Sequence, residues 1–164
     1  MKYRKWIIPR AEPEIPDGLL EAGFTPLLAA MLARRGMSDP EAAREFIYGG
    51  ADSLLPAETM ADMPKAAARV RQAIEGHETV AVYGDYDVDG ITSACLVTSY
   101  LREQGLKCIP YIPDRLEEGY GLNSAALDAV CARGASLVIT VDCGITAVQE
   151  ALHMIRYGKK DIVR

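Results

Sequence analysis

The sequence predicts an α/β fold, a parallel sheet with flanking helices preceded by a helical region, and three observations carry that reading. From Thr79 onward, short apolar runs rich in Val and Ile alternate with longer segments of helical apolar spacing. Before Thr79 the helical spacing occurs without such runs. The changes of rhythm coincide with Gly, Pro and Asp, the residues that punctuate regular structure. Strands and helices in alternation imply parallel strands joined by right-handed crossovers, and in open sheets of this kind ligands bind beyond the carboxyl ends of the strands.

In the first part, "TPLLAAMLARRG" has helical spacing and stops at Gly36. "SDPEAAREFIYGG" opens with Asp39 as N-cap and Pro40 at the first helical position, and "MPKAAARVRQAIEG" repeats the device with Pro64 and ends at Gly76. No catalytic constellation is visible here, so residues 1–77 are expected to form a helical N-terminal region that caps the next domain. In residues 78–164, "TVAVYGD" reads as a buried strand, "GITSACLVTSYLREQG" as a helix closed by Gly105, and "KCIPYIP" as a second strand. "NSAALDAVCARG" follows as a helix, "SLVITVD" as a third strand and "TAVQEALHMIRYG" as a helix, and "DIV" opens a fourth strand.

With 49% hydrophobic and 25% charged residues the chain is too apolar to stay disordered. A net charge of -5 weighs against a generally basic coat for nucleic acid, while leaving a local site open. Cys95, Cys108, Cys131 and Cys143 stand far apart in apolar stretches, a spacing that suits reduced, buried thiols. The opening "MKYRKWIIPR" lacks the apolar core of a secretory leader, and "FTPLLAAMLARRG" is too short to cross a bilayer. The expectation is a soluble, cytoplasmic protein without membrane contact.

The chemistry points to "VYGDYDVDGITS", where Asp85, Asp87 and Asp89 alternate and Gly90 follows. Like charges this close raise one another's pKa, and a divalent cation among them is the simplest remedy. Helix capping accounts for one aspartate and leaves the alternation, and Asp142 at the end of another strand, without a reason. A calcium loop fails at its twelfth position, where a bidentate Glu is required and Leu96 stands. An aspartyl-nucleophile phosphatase is an alternative, with Asp85 as nucleophile and Asp87 as acid/base partner, but it wants a later acidic pair that the sequence lacks.

A two-metal phosphoesterase explains more. If Asp87 and Asp89 leave the first strand two residues apart, the pleat turns both into one crevice, and Asp142 approaches from a neighbouring strand. Gly90 and Gly144 keep side-chain bulk away from metal and substrate, and helix amides after Gly90 face a phosphate oxygen.

"VYGDYDVDGITSACLVTSYLREQG", "YIPDRLEEGYGLN" and "LVITVDCGI", in this order, resemble the first half of the catalytic core of the DHH phosphoesterase family, and the start with "KWIIP" is similar to the N-terminal region of its exonucleases specific for single-stranded DNA. The resemblance implies an Mn²⁺- or Mg²⁺-dependent exonuclease acting on single-stranded DNA in the 5′→3′ direction, in recombination and repair. Carried over by position, Asp87, Asp89 and Asp142 are metal ligands, Asp142 bridging two ions, and Asp85 stands behind them to orient a ligand or a water. Arg115 is the candidate phosphate grip, its alternative being a surface ion pair with Glu117 or Glu118; Gly90, Thr92, Tyr120 and Gly144 complete the expected substrate-facing set. Implied partners are single-stranded DNA, a single-strand-binding protein or a helicase.

The Asp-His-His motif that names the family is absent, and the two histidines, His77 and His153, lie elsewhere. The expectation is therefore a chain truncated before that motif and, alone, weakly active or inactive. Other branches of the family, degrading oligonucleotides or cyclic dinucleotides, would use the same aspartates. A binding remnant without catalysis would instead hold nucleic acid or a partner in the presence of chelator.

Overall fold

A computed structural model describes residues 14–158 and 160–164. The opening "MKYRKWIIPR", with its "KWIIP" similarity, lies outside the described residues. The chain divides into two compact units, Met1–Ala57 and Glu58–Arg164.

The first unit holds α1 (Asp17–Glu21), α2 (Pro26–Ala33) and α3 (Pro40–Tyr48). The caps are the residues the sequence offers. Thr25 Oγ1 accepts a hydrogen bond from the Leu28 amide, and Asp39 Oδ2 accepts one from the Ala42 amide at 2.7 Å, each followed by proline at the first helical position. Leu19, Phe24, Ala29, Leu32 and Ala43 form a small core. Arg44 donates to the Ala22 carbonyl and lies over the Phe24 ring.

The second unit comprises α4 (Met63–Glu75), β1 (Thr79–Tyr83), α5 (Val88–Glu103), β2 (Lys107–Tyr111), α6 (Ser124–Ala132), β3 (Leu137–Thr140), α7 (Val148–His153) with a π-helical turn after it, and β4 (Asp161–Val163). The strands lie in the order β2-β1-β3-β4 and every neighbouring pair is parallel. β1 is central, and its residues alternate between two faces. Val80 and Val82 join Ala73 of α4 and Ala94 and Leu101 of α5 on one side. Ala81 and Tyr83 join Leu127 and Val130 of α6 and Met154 of the π turn on the other. The division between units thus falls at 57/58, where the sequence reading put it at 77. The reason is that the buried stripe of α4 packs on the sheet.

Four free thiols are present, and only Cys108 is buried; Cys95 is exposed, which corrects the expectation for it. α5 buries Ala94, Thr98 and Leu101, and the next residue after Ala94 is turned about 100° away from that stripe. Among the described residues no helix is long and apolar enough to cross a membrane.

The amino-terminal rim of the sheet is tied by one arginine. Arg69 on α4 donates to both oxygens of Glu78, at 3.0 and 2.9 Å, and through Nε to Asp161 at 2.6 Å. Ser136 donates to Glu78 as well, so α4, β1, β3 and β4 meet at this cluster. The Arg69 guanidinium holds the Glu78 carboxyl below the usual range.

Candidate metal centre

At the opposite rim, β1 hands the chain to β2 on one side and β3 lies on the other, so the first and third strands flank the point where the strand order reverses. The Val141 amide donates to the Tyr83 carbonyl at 2.9 Å, extending the β1–β3 pairing one residue beyond the strands. The acidic loops start there.

After Tyr83, Gly84 packs under α5; a β-carbon on it would lie 2.7 Å from the Gly90 carbonyl oxygen. Gly90 is fitted still more tightly, since a β-carbon would lie 2.5 Å from both the nitrogen and the carbonyl oxygen of Asp85. This glycine pair folds the main chain into a knuckle. Asp85 is 2% exposed and accepts a hydrogen bond from the Tyr86 amide at 2.6 Å. Asp87 is the N-cap of α5, its Oδ1 accepting from the Gly90 amide at 3.0 Å, which leaves the rest of the carboxylate turned to the crevice. Asp142 follows β3 in a left-handed conformation, φ 57°, that aspartate tolerates better than most residues.

One oxygen each of Asp85, Asp87 and Asp142 lies within 4.8 Å of the others. That spread fits a cation held at ~2.0–2.6 Å from each donor, and an all-oxygen set suits Mg²⁺ or Mn²⁺. Burial and the charges of Asp87, Asp89 and Asp85 push the Asp142 carboxyl above its ordinary range. Cys143 beside it is raised to about 11, first by burial and then by the charge of Asp85.

Asp89 is placed differently from the expectation. β1 ends at Tyr83 and α5 begins at Val88, so Asp87 and Asp89 share no pleat; they are the N-cap and the second residue of a helix. Asp89 is exposed and outside the trio, yet near enough that its charge acts on Asp142. Thr92 turns its hydroxyl back on its own helix, donating to the Val88 carbonyl at 2.7 Å. Gly144 follows Asp142 at φ 91°, with Thr140 Oγ1 2.8 Å from where a β-carbon would stand.

The 112–123 loop carries Arg115 and Tyr120 and is pinned at its base. Glu118 accepts from the Tyr111 hydroxyl at 2.6 Å, the Asp114 amide at 2.8 Å and the Asn123 amide group at 3.2 Å. The Tyr83 hydroxyl donates to the Gly121 carbonyl at 3.0 Å. Burial raises both phenols, Tyr111 to about 12. Glu118 is thus committed, and among the described residues Arg115 forms no ion pair with it or with Glu117. Tyr120 is 71% exposed and borders the same cleft as Asp142. Its phenol is raised, chiefly by the charge of Asp85.

Sequence reasoning passed over Tyr86, which the structure sets between Arg115 and Tyr120, and over Gly84. The spacing of Gly84 and Gly90 around the aspartates was the available signal. His153 pairs with Asp128 at 3.0 Å, and His77 occupies a turn at φ 50°; neither belongs to the trio.

Residues 79–163 match the model of the DHH family, N-terminal domain. The chain belongs to that family. Its curated relatives include single-stranded-DNA-specific exonucleases RecJ: that of Bacillus subtilis is 43% identical over 90% of this chain and 19% of its own length, and that of Escherichia coli 35% over 88% and 24%. A crystal structure of exonuclease RecJ bound to manganese is similar at a TM-score of 0.58 and 33% identity, covering 66% of this chain and 27% of that one. The chain thus spans about a fifth to a quarter of the length of the curated relatives it matches.

Proposed function

We propose that this chain supplies the aspartate side of the metal centre of an exonuclease that hydrolyses single-stranded DNA in the 5′→3′ direction, in recombination and repair. The observation that supports it most is the convergence of Asp85, Asp87 and Asp142 at the strand-order reversal of a DHH-family sheet. Manganese or magnesium, when bound, supplies positive charge that offsets the carboxylates, activates a water and stabilises the departing oxygen of the phosphodiester.

The chain's own residues do the rest. Asp87 and Asp142 present carboxylate oxygens from two loops, and Asp85, buried beneath them, fixes the loop after β1 or adds an oxygen of its own. Asp89 faces the same region from the first turn of α5 and is the candidate donor to a second cation. Gly90 lets α5 close onto the Asp85 main chain and Gly144 takes the left-handed turn after Asp142, so both glycines serve the packing of the loops rather than the open approach that the sequence suggests. Thr92 stiffens the first turn of α5, and Arg115 and Tyr120 offer a cation and a phenol to the phosphate backbone.

Among the described residues this donor set is carboxylate alone, from which one firm cation position and little turnover by the chain itself are expected. The four free thiols suit a reducing compartment such as the cytoplasm. A helicase or a single-strand-binding protein are the partners this reading calls for. Titration with Mn²⁺, followed by electron paramagnetic resonance, is expected to show one bound ion, lost in Asp87→Ala and Asp142→Ala. Absence of Mn²⁺ binding by the unaltered chain would overturn the reading.

A further inference from the structure

We infer that Tyr86, between the carboxylates Asp85 and Asp87, is a positioning residue whose ring holds the Arg115 guanidinium and the Tyr120 phenol beside the acidic centre for a DNA phosphate. This rests on the function proposed above and extends it to how the strand's backbone is gripped.

Three relationships carry it. The Arg115 guanidinium carbon lies 5.3 Å from the centre of the Tyr86 ring, and the Tyr120 ring meets Tyr86 edge-on at 6.2 Å and 78°. The Tyr86 main chain is held in place, because its amide donates to Asp85 at 2.6 Å and the loop is clamped between Gly84 and Gly90. The base of the 112–123 loop is anchored through Glu118 and Gly121, whereas Leu116 near its tip is 93% exposed; the Tyr86 ring is the support beneath Arg115.

A guanidinium held over an aromatic ring is bound through its charge and leaves its N–H groups for hydrogen bonds elsewhere. The acidic neighbours do not consume those groups. Glu118 is taken by Tyr111, Asn123 and the Asp114 amide, and Asp114 Oδ1 by the amides of Leu116 and Glu117. Tyr120, edge-on to the same ring, adds a phenolic donor on the same side. A cation and a donor held next to metal-binding carboxylates suit the non-bridging oxygens of a phosphodiester, and the aromatic rings suit a base stacked alongside.

The test uses the unaltered chain, Tyr86→Phe, Tyr86→Leu, Arg115→Ala and the Tyr86→Leu/Arg115→Ala double variant. Two quantities are read: Mn²⁺ affinity, and the affinity of a fluorescein-labelled oligothymidylate in saturating Mn²⁺. Tyr86→Phe is expected to match the unaltered chain in both. Tyr86→Leu and Arg115→Ala are each expected to keep their Mn²⁺ affinity and bind the oligonucleotide about tenfold more weakly, the double variant no worse than either single one.

Unchanged oligonucleotide affinity in Tyr86→Leu would overturn the inference, and so would single effects that multiply in the double variant. Loss of Mn²⁺ affinity in Tyr86→Leu would assign the ring to holding the loop rather than positioning Arg115. An unaltered chain that binds Mn²⁺ but no oligonucleotide would sink the inference and spare the metal centre. One that binds oligonucleotide without Mn²⁺ would sink the metal centre, leaving Tyr86 to be judged by the same DNA titrations without metal.

Discussion

Gly90 and Asp85 are fitted main chain against main chain: a β-carbon on residue 90 would stand 2.5 Å from the Asp85 nitrogen and from its carbonyl oxygen. Backbone cannot rotate aside as a flexible side chain can. Gly90→Ala is therefore expected to move the whole acidic loop, costing about 1–3 kcal/mol in urea unfolding, as overpacking does. Mn²⁺ affinity is expected to fall about tenfold or more, as when a metal ligand loses its support. Equal stability and equal metal affinity would show the knuckle to be looser than the geometry says.

Asp87 has two duties that one pair of substitutions separates. Its Oδ1 caps α5 by accepting from the Gly90 amide, and its carboxylate belongs to the trio. Asp87→Asn keeps an oxygen for the cap and removes the charge, so Mn²⁺ binding falls while the melting temperature holds. Asp87→Ala removes both, and thermal unfolding should register a further cost of about 1 kcal/mol.

Asp142 bears the repulsion of the cluster. Burial, and then the charges of Asp87, Asp89 and Asp85, disfavour its ionised form, and the metal-free chain folds against that cost. Asp142→Asn, which also accepts the left-handed backbone at φ 57°, is expected to raise the melting temperature in chelator and to lower it relative to the unaltered chain in Mn²⁺. The same order of stability in both buffers would rule out a cation at this position.

The Arg69–Glu78 pair predicts an acid limit. Because Arg69 and Ser136 lower the Glu78 carboxyl below its ordinary value of 4.5, the pair's contribution is complete above that value and disappears as pH falls through the lowered folded one. Glu78→Gln should cost about 1.5–3 kcal/mol near neutrality, the range for hydrogen bonds to charged groups. Urea unfolding of both proteins across the acid range should show the gap closing; a gap independent of pH would refute the pairing.

Much of this was written in the chain in a form that periodicity can read. The Val/Ile runs of β1 and β3 are buried on both faces and announce themselves, and Asp39 followed by Pro40 is a cap visible by eye. α1 is five residues long, too short for a 3.6-residue repeat to emerge. α4 looked like its predecessors because an amphipathic stripe does not say which core it will meet. The alternation of Asp85, Asp87 and Asp89 suggested a pleat, but Gly84 and Gly90 end the strand early and give Asp87 to a helix cap. Tyr86 was illegible for another reason: its partners, Arg115 and Tyr120, lie about thirty residues away and meet it only through the fold.

The cluster around Arg69 stands at the amino ends of the strands, and the aspartates stand at their carboxyl ends, with the five residues of β1 between them, about 17 Å of extended chain. One end of the sheet is a foundation and the other a workbench. Changes at positions 69, 78, 136 and 161 are therefore felt as thermal endurance lost at the foundation, with the acidic rim left as it was.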